Sequence, residues 1–426
     1  MVITVRIFKI VAAAALMLLL TSCVGEEPDN IAYITALGID KSDDAYIYTI
    51  QFAHPVQISG GASESGGSGE DIVQIVAVEA PSLYSAINTA DSIISKELTL
   101  SHAKLFVISE ETAAEGMEDL NDIFARNNDI RPDIYIAVAE DAGKYLEEVQ
   151  PIIELNPIKY YQLTYEDENG PAIPENTAFD FYSACVSGSK DCLLPYAGVA
   201  EVEDEEKLGE GGEKEHKSSD NKRQKQAELN EEGFEYGTKN FYAGQVGKKI
   251  SNKSEVIGAA IFKDCKYIGK LDCNDAELYN ILENKFKEMS VAFYSEPTPH
   301  RPITVKIKEN TPPKYIINKE EKHIDIYLKL EGELLSAAAE YRTDHTIPEL
   351  NKMASEMVQR ASEDLADRLY RQYNADALGI KGKLRSHFIT NDAYYSYCSN
   401  FNPYEWSFSV YADVRINRTG MTYYYY

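Results

Sequence analysis

Residues 7–23 decide where this chain can fold. Ile10–Leu20 is an unbroken apolar run, preceded by Arg6 and Lys9 and by no acid. With Ile7 and Phe8 the apolar residues number 13, short of the roughly 20 that a membrane-spanning helix needs. A basic start and a short apolar core are the pattern of a secretory leader. The run ends in Leu20-Thr21-Ser22-Cys23, an aliphatic residue and two small ones before a cysteine. Small residues let the backbone enter a peptidase groove, and the thiol can accept a diacylglyceryl group. The expectation is a lipoprotein signal peptide over 1–22, cleaved before Cys23, and a mature chain anchored to the bilayer by acylated Cys23. Two acyl chains give stable anchoring. The alternatives are an ordinary secretory signal with a chance cysteine, or an N-terminal membrane helix. A cleaved lipoprotein leader also places the folded part on the extracytoplasmic face.

Charge makes the anchor matter. The chain of 426 residues carries 69 acids and 42 bases, a net charge of -27. Loss of Arg6 and Lys9 with the leader takes it to -29. Such a balance argues against a nucleic-acid partner, since phosphate contacts need Lys and Arg. It argues equally against charge-driven adsorption to anionic lipid. Glu201–Glu235 holds thirteen acids and six bases with few large apolar side chains. Such a segment cannot bury enough surface to offset its ordering entropy, so 201–240 is expected to be a disordered acidic loop. Ser59–Gly69 (S-G-G-A-S-E-S-G-G-S-G) lacks the lysine of a phosphate-binding loop and reads as a long hairpin loop.

The remainder alternates strand and helix patterns. Strands are expected at Ile31–Ile39, Ala45–Ala53, Asp71–Val78, Ala103–Ile108 and Asp133–Ala139. Helices are expected at Pro81–Lys96, Thr112–Asn127 and Ala142–Val149. Further on, Leu194–Val202, Glu255–Phe262 and Tyr267–Leu271 read as strands. A helix follows, capped by Asn274 with Glu277 completing a capping box, with Leu278, Ile281, Leu282, Phe286 and Met289 on one face. From Pro302 come strands Ile303–Ile307, Tyr315–Ile317 and Ile324–Leu335, a long helix over 347–373, and a closing β-run Glu405–Arg418. The expected class is α+β, mixed α/β. The expected division is an N-terminal module 23–165, a middle module 166–290 and a C-terminal module 291–420, each on a central mixed or antiparallel sheet with packed helices.

Chemistry-bearing motifs are missing. None of the seven histidines forms a close metal pair, and no nucleophile elbow or dinucleotide loop occurs. Ser101-His102 would point to opposite faces of a strand. Asp344-His345 reads as a loop or cap. With Cys23 acylated, Cys185, Cys192, Cys265, Cys273 and Cys398 remain, an odd number that excludes complete intramolecular pairing. Cys185/Cys192 and Cys265/Cys273 are near in sequence, and disulfides or free thiols both fit an exported chain. No catalytic, metal or cofactor residue is assigned; the one site residue is Cys23, for lipidation.

Four segments carry a resemblance. They are Ile34-Thr-Ala-Leu-Gly-Ile-Asp-Lys41; Leu100-Ser-His-Ala-Lys-Leu-Phe-Val-Ile-Ser-Glu-Glu111 with Arg131-Pro-Asp-Ile-Tyr135; Gly258-Ala-Ala-Ile-Phe-Lys-Asp264 through Tyr267-Ile-Gly-Lys-Leu271; and Gln372-Tyr-Asn-Ala-Asp376 with Leu378-Gly379 and Trp406. In this order, behind a lipobox cysteine, they resemble the Ger(x)C family, the lipoprotein C subunits of nutrient germinant receptors in endospore-forming bacteria. The resemblance implies three α/β modules and a non-enzymatic subunit on the outer face of the inner spore membrane, acting with the integral membrane subunits A and B in spore germination. The family usually has a Trp after the lipid cysteine, where this chain has Val24-Gly25-Glu26-Glu27. The alternative is a stand-alone extracellular solute-binding lipoprotein, against which the strand-rich second half counts.

Overall fold

The structure, a computed structural model, describes residues 30–53, 73–150, 154, 156–166, 173–174, 177–200, 234–236, 241–246, 252–295, 303–336 and 347–418. Cys23, the stretch 59–69, most of the acidic segment and Asp344-His345 lie outside these residues.

The first half builds strands β1 (Ile31–Lys41), β2 (Tyr46–Ala53) and β3 (Gln74–Ala80), then helix α1 (Leu83–Ile94). Next come β4 (Glu97–Thr99), β5 (Leu105–Ser109), α2 (Glu110–Glu115), α3 (Glu118–Arg126), β6 (Tyr135–Ala139), α4 (Ala142–Glu147), α5 (Pro157–Tyr165), α6 (Ala178–Ser187) and β7 (Leu193–Val199). The expected helix 112–127 is two helices. Gly116 breaks it at φ 135°, a conformation closed to most other residues.

β1, β5, β6 and β7 are mutually parallel, with Ala36, Leu105 and Tyr135 in register. Parallel strands are covered on both faces, which is why L-F-V-I-S and Y-I-A-V-A are fully buried and nearly all apolar, Ser109 at the end of β5 capping the next helix. Alternation then divides the core. Leu105, Val107 and Ala137 face α4 and α5, against Tyr145, Tyr161 and Tyr165. Phe106, Ile108 and Val138 share the opposite core with Leu83, Ala86 and Phe181, from α1 and α6.

The second half adds β8 (Phe234–Tyr236), β9 (Ser254–Lys263), β10 (Lys266–Leu271), α7 (Cys273–Glu283), β11 (Glu288–Ser295), β12 (Ile303–Asn318) and β13 (His323–Ser336). It ends with α8 (Ile347–Asp367), which runs into a π-turn at Arg368–Gln372, then α9 (Ile380–Lys383), α10 (Asn391–Cys398) and β14 (Ser407–Arg418).

The described strands form two sheets. One of nine strands has the order β10-β9-β7-β6-β5-β1-β2-β3, with β4 also on β1; one of five has the order β14-β13-β12-β11-β8. The mixed α/β class stands. The expected module edge at 165/166, however, is crossed by a continuous sheet, because β7 pairs β6 on one side and β9 on the other. The expected edge at 290/291 falls inside β11.

Three local expectations need correction. Phe234–Tyr236, placed in the disordered loop, is an edge strand on Phe293–Ser295, consistent with its aromatic-acid-aromatic alternation. The helix expected to reach Met289 stops at Glu283, where Asn284 takes a left-handed conformation at φ 59°. Its cap is Asp272, whose carboxylate accepts from the Asp275 amide at 3.0 Å, rather than Asn274. Met289 still reaches the same core, from β11.

The second sheet is antiparallel except for β13 and β14. β13 alternates buried and exposed residues, so one face is solvated and the other lies under α7 and α8. That core also takes in Leu193, Ala259, Ile261 and Leu271 from the nine-stranded sheet. Both sheets therefore pack on α7.

Among the described residues one disulfide is present, Cys185–Cys265, with Cα atoms 5.6 Å apart. Neither sequence-near pair is bonded; the bridge joins the end of α6 to the β9–β10 turn, across 80 residues. Cys192, Cys273 and Cys398 are free thiols. Cys185→Ser is expected to cost about 3 kcal/mol, read as a lower urea midpoint. Reductant should lower the parent's midpoint by a similar amount and leave that of the variant unchanged.

Candidate functional site: the seam between the two sheets

Asp191 and Asp376 hold the seam together. Both carboxylates are buried. Asp376 N–H donates to Asp191 Oδ2 at 2.7 Å, and Asp191 N–H donates back to the Asp376 carbonyl at 3.1 Å. Asp191 Oδ1 accepts from the Asp264 amide in the β9–β10 turn at 3.2 Å. The Asp376 carboxylate accepts from the Tyr370 hydroxyl, from Ile380 N–H at 2.7 Å and from Lys381 N–H at 2.9 Å. The chain can double back to deliver these donors because Asn374 and Gly379 both sit at left-handed φ. Burial pushes the Asp376 carboxyl up to about 7, against the pull of its three donors.

A second cluster lies beside the first. Glu110, at the start of α2, accepts from the Tyr196 hydroxyl at 2.6 Å and from Lys270 Nζ at 3.0 Å. Lys270 also donates to the Tyr196 oxygen at 2.7 Å and stands 4.4 Å above that ring. Burial works to raise the Glu110 pKa, but these partners win and hold it below the usual range. Tyr373 closes over β10. Its hydroxyl donates to the Lys270 carbonyl at 3.3 Å, and its ring fills the place of a Cβ at Gly269, 2.7 Å away.

The third element is the N-terminal turn of α7. Arg368 makes two bonds to Asp275, one of 2.7 Å between Nη1 and Oδ2. Burial pushes Asp272 up to about 6 and Glu277 up to about 7. Tyr279 reaches across to the Ala377 carbonyl at 3.4 Å.

This arrangement fixes relative position. Its buried carboxylates accept backbone, hydroxyl or cation donors, so they serve as structural acceptors. A cleft beside the disulfide, lined by Cys185, Asp191, Cys192 and Lys381 among others, has a volume of about 40 Å³. That is room for roughly two or three waters, far below the ~300 Å³ of a small-molecule pocket. Burial pushes the Cys192 and Cys273 thiols up to about 11, which keeps them protonated and unreactive. Among the described residues, no three His, Cys, Asp or Glu side chains gather as a metal site, and no helix is long and apolar enough to cross a membrane.

Of the residues singled out in the sequence, Cys23 lies outside the described ones. Ser101 and His102 do meet, at 3.0 Å, because they occupy a turn after β4 where strand alternation does not apply. His102 packs on Tyr33, with centroids 4.3 Å apart, and burial lowers its pKa. Three of the four quoted segments converge on the seam through Glu110, Asp264, Lys270 and Asp376. Asp191, Tyr196, Asp275 and Arg368 were missed. Each is an ordinary polar residue, Tyr196 in the middle of β7 and the others near the end of an element, and only contacts 73 to 185 residues apart give it a role.

The fold and seam define a class: a mixed α/β protein whose two sheets are joined beside buried carboxylates. Residues 25–199 match the spore germination protein N-terminal domain, and residues 257–420 match the spore germination B3/GerAC-like C-terminal domain. Spore germination protein KC of Bacillus subtilis (strain 168) is 30% identical over 115 residues, covering 26% of this chain and 28% of that protein. Spore germination protein GerQC of Bacillus cereus is 20% identical over 372 residues, covering 85% of this chain and 86% of that protein. The crystal structure of the GerBC protein aligns over 89% of this chain and 96% of its own, at 14% identity and a TM-score of 0.48. The chain belongs to the GerAC-like family of spore germination proteins.

Two outcomes are expected of the seam. Asp376→Ala leaves three donors without their acceptor and should destabilise the protein by about 3 kcal/mol in urea unfolding. The pH dependence should carry the sign of a raised carboxyl. Glu277 titrates near 7 when folded against an ordinary 4.5, so between these values the folded state keeps a proton that the unfolded state has released. Stability then falls as pH rises through that window. Glu277→Gln should give a shallower fall of the urea midpoint between pH 4.5 and 7 than the parent.

Proposed function

We propose that this protein is a non-enzymatic, lipid-anchored subunit of a nutrient germinant receptor. Diacylglyceryl-Cys23 holds it on the extracytoplasmic face of the membrane, which in a spore is the inner spore membrane. It works there with two integral membrane subunits, A and B, in spore germination. The observation that carries this reading is the pair of germination-family domains matched in order along one chain behind a lipobox. The seam supports a mechanical role. Two sheets bonded through buried carboxylates move as a unit, so a displacement imposed on one by a membrane partner reaches the other. The small seam cleft gives no support to a stand-alone solute-binding role.

Co-purification from spores tests the assembly: a tagged chain should bring down both membrane subunits. Normal nutrient germination in a deletion strain lacking redundant receptors would refute the role. Cys23→Ser should shift the protein from the membrane to the soluble fraction and weaken the germination response. Full retention in the membrane fraction would show that protein contacts alone suffice.

A further inference from the structure

The disulfide and the seam share one carboxylate. From Cys185 the chain leaves α6 through Gly188, left-handed at φ 57°, and runs on to Ser189 and Asp191. Asp191 Oδ1 accepts from the Asp264 amide at 3.2 Å, and Cys265, the next residue, is bonded back to Cys185. Segment 185–191, that hydrogen bond and the sulfur bridge therefore form a closed ring. The bonds to the 376–382 loop leave from this ring. Asp191 Oδ2 holds the Asp376 amide at 2.7 Å, and the Ser189 carbonyl holds the Gly382 amide at 3.1 Å.

The turn in the ring is held against its own preference. Lys263 pairs with Lys266, so Asp264 and Cys265 are the two turn residues, and both have left-handed φ, 48° and 62°. A two-residue hairpin turn with both φ positive favours Asn or Asp first and Gly second. Cysteine stands in the glycine place, where the surroundings must hold it. Two bonds do so: the bridge, and the Met117 amide on the Cys265 carbonyl at 3.1 Å. Solvent reaches the bridge. Cys185 and Cys265 are half-buried, Asp264 and Lys266 on either side of Cys265 are exposed, and Val186 beside Cys185 is 68% exposed. The small cleft lined by both cysteines is also lined by Asp191 and Lys381 of the seam. Exposed disulfides are the ones that reductants open.

We propose that the Cys185–Cys265 bridge is a redox-sensitive latch on the seam. Oxidised, it keeps the Asp264 amide on Asp191 and, through that carboxylate, steadies the 376–382 loop. Reduced, it lets the turn relax and the loop loosen. The reductant is a dithiol. The Sγ–Sγ bond breaks, both sulfurs become thiols, and the two electrons and two protons come from the dithiol, which closes its own disulfide. Reoxidation reverses the step. The latch depends neither on an anchor nor on a partner. It differs from a plain staple in where its loss is felt. A staple acts on the unfolded chain and weakens every part alike. A latch loosens the 376–382 loop ahead of the rest.

Amide hydrogen exchange on the full chain tests this, with the bridge oxidised and after dithiothreitol. Peptides spanning 376–382 report on the seam, and those spanning the buried strand β5 report on global opening. Reduction is expected to speed exchange at 376–382 by about tenfold more than at β5, and reoxidation to restore it. Cys185→Ser is expected to exchange like the reduced parent, with or without dithiothreitol. The parent's own two redox states carry the test if that variant does not fold. Acceleration by the same factor in both regions would make the bridge a staple and overturn the latch. Unchanged exchange at 376–382, in a chain whose freed thiols are confirmed by alkylation, would overturn it as well.

Discussion

The pairing of Asp191 with Asp376 is the constraint on which the relation between the two sheets depends. A buried carboxylate is costly unless donors satisfy it. The Asp376 carboxylate is satisfied within its own loop, whereas Asp191 depends on amides that the fold brings from 73 and 185 residues away. Asp191 takes amides from Asp264 and Asp376; Asp376 takes donors from Tyr370, Ile380 and Lys381. Between the two loops run the paired Asp191–Asp376 bonds and one from Gly382 N–H to the Ser189 carbonyl, so separating them would leave those donors unpaired together. The disulfide sits beside it, tying α6 to the same β9–β10 turn.

What the sequence revealed follows the range of the forces involved. β5 and β6 were legible because a strand buried on both faces must be apolar along its whole length. The long helix over 347–373 was legible from its stripe, and the structure carries it to Gln372 through the π-turn. Helices α5, α6 and α10 were not found. In α6 the apolar residues surround the helix, with Phe179 and Val186 exposed at 58% and 68%, so no clean stripe shows. Its Thr177–Asp180 capping box was a local signal that could have been used. The helix ending at Glu283 was overrun because Phe286 and Met289 continue the helical spacing into the next strand, where they serve the same core. The seam was not legible at all, since its partners meet only after both sheets exist. Glu110, Asp264, Lys270 and Asp376 nonetheless fall inside three of the four segments that carried the family resemblance.

The acidity also reads differently with the fold in view. A charge of -27 looks like surplus surface charge. Part of it is structural. Glu110, Asp191, Asp275 and Asp376 each accept at least two hydrogen bonds at the seam, and Glu283 anchors Lys383 at 3.0 Å. Asp191 and Asp376 act as fixed acceptors for backbone turns, and Glu110, Asp275 and Glu283 for hydroxyl or cationic side chains; a neutral side chain with one oxygen would satisfy these less completely. The remaining excess cannot draw the chain to an anionic bilayer.

That leaves a division of labour set by magnitudes. In the proposed receptor subunit, acyl chains on Cys23 would supply retention, since the chain's charge cannot. The bonded seam supplies fixed geometry between the sheets, through the Asp191–Asp376 pair and the Arg368–Asp275 ion pair. Neither term fixes the angle at which the molecule stands on the membrane, since a single-point tether permits rotation. A subunit that passes a displacement between membrane partners needs that angle fixed as well.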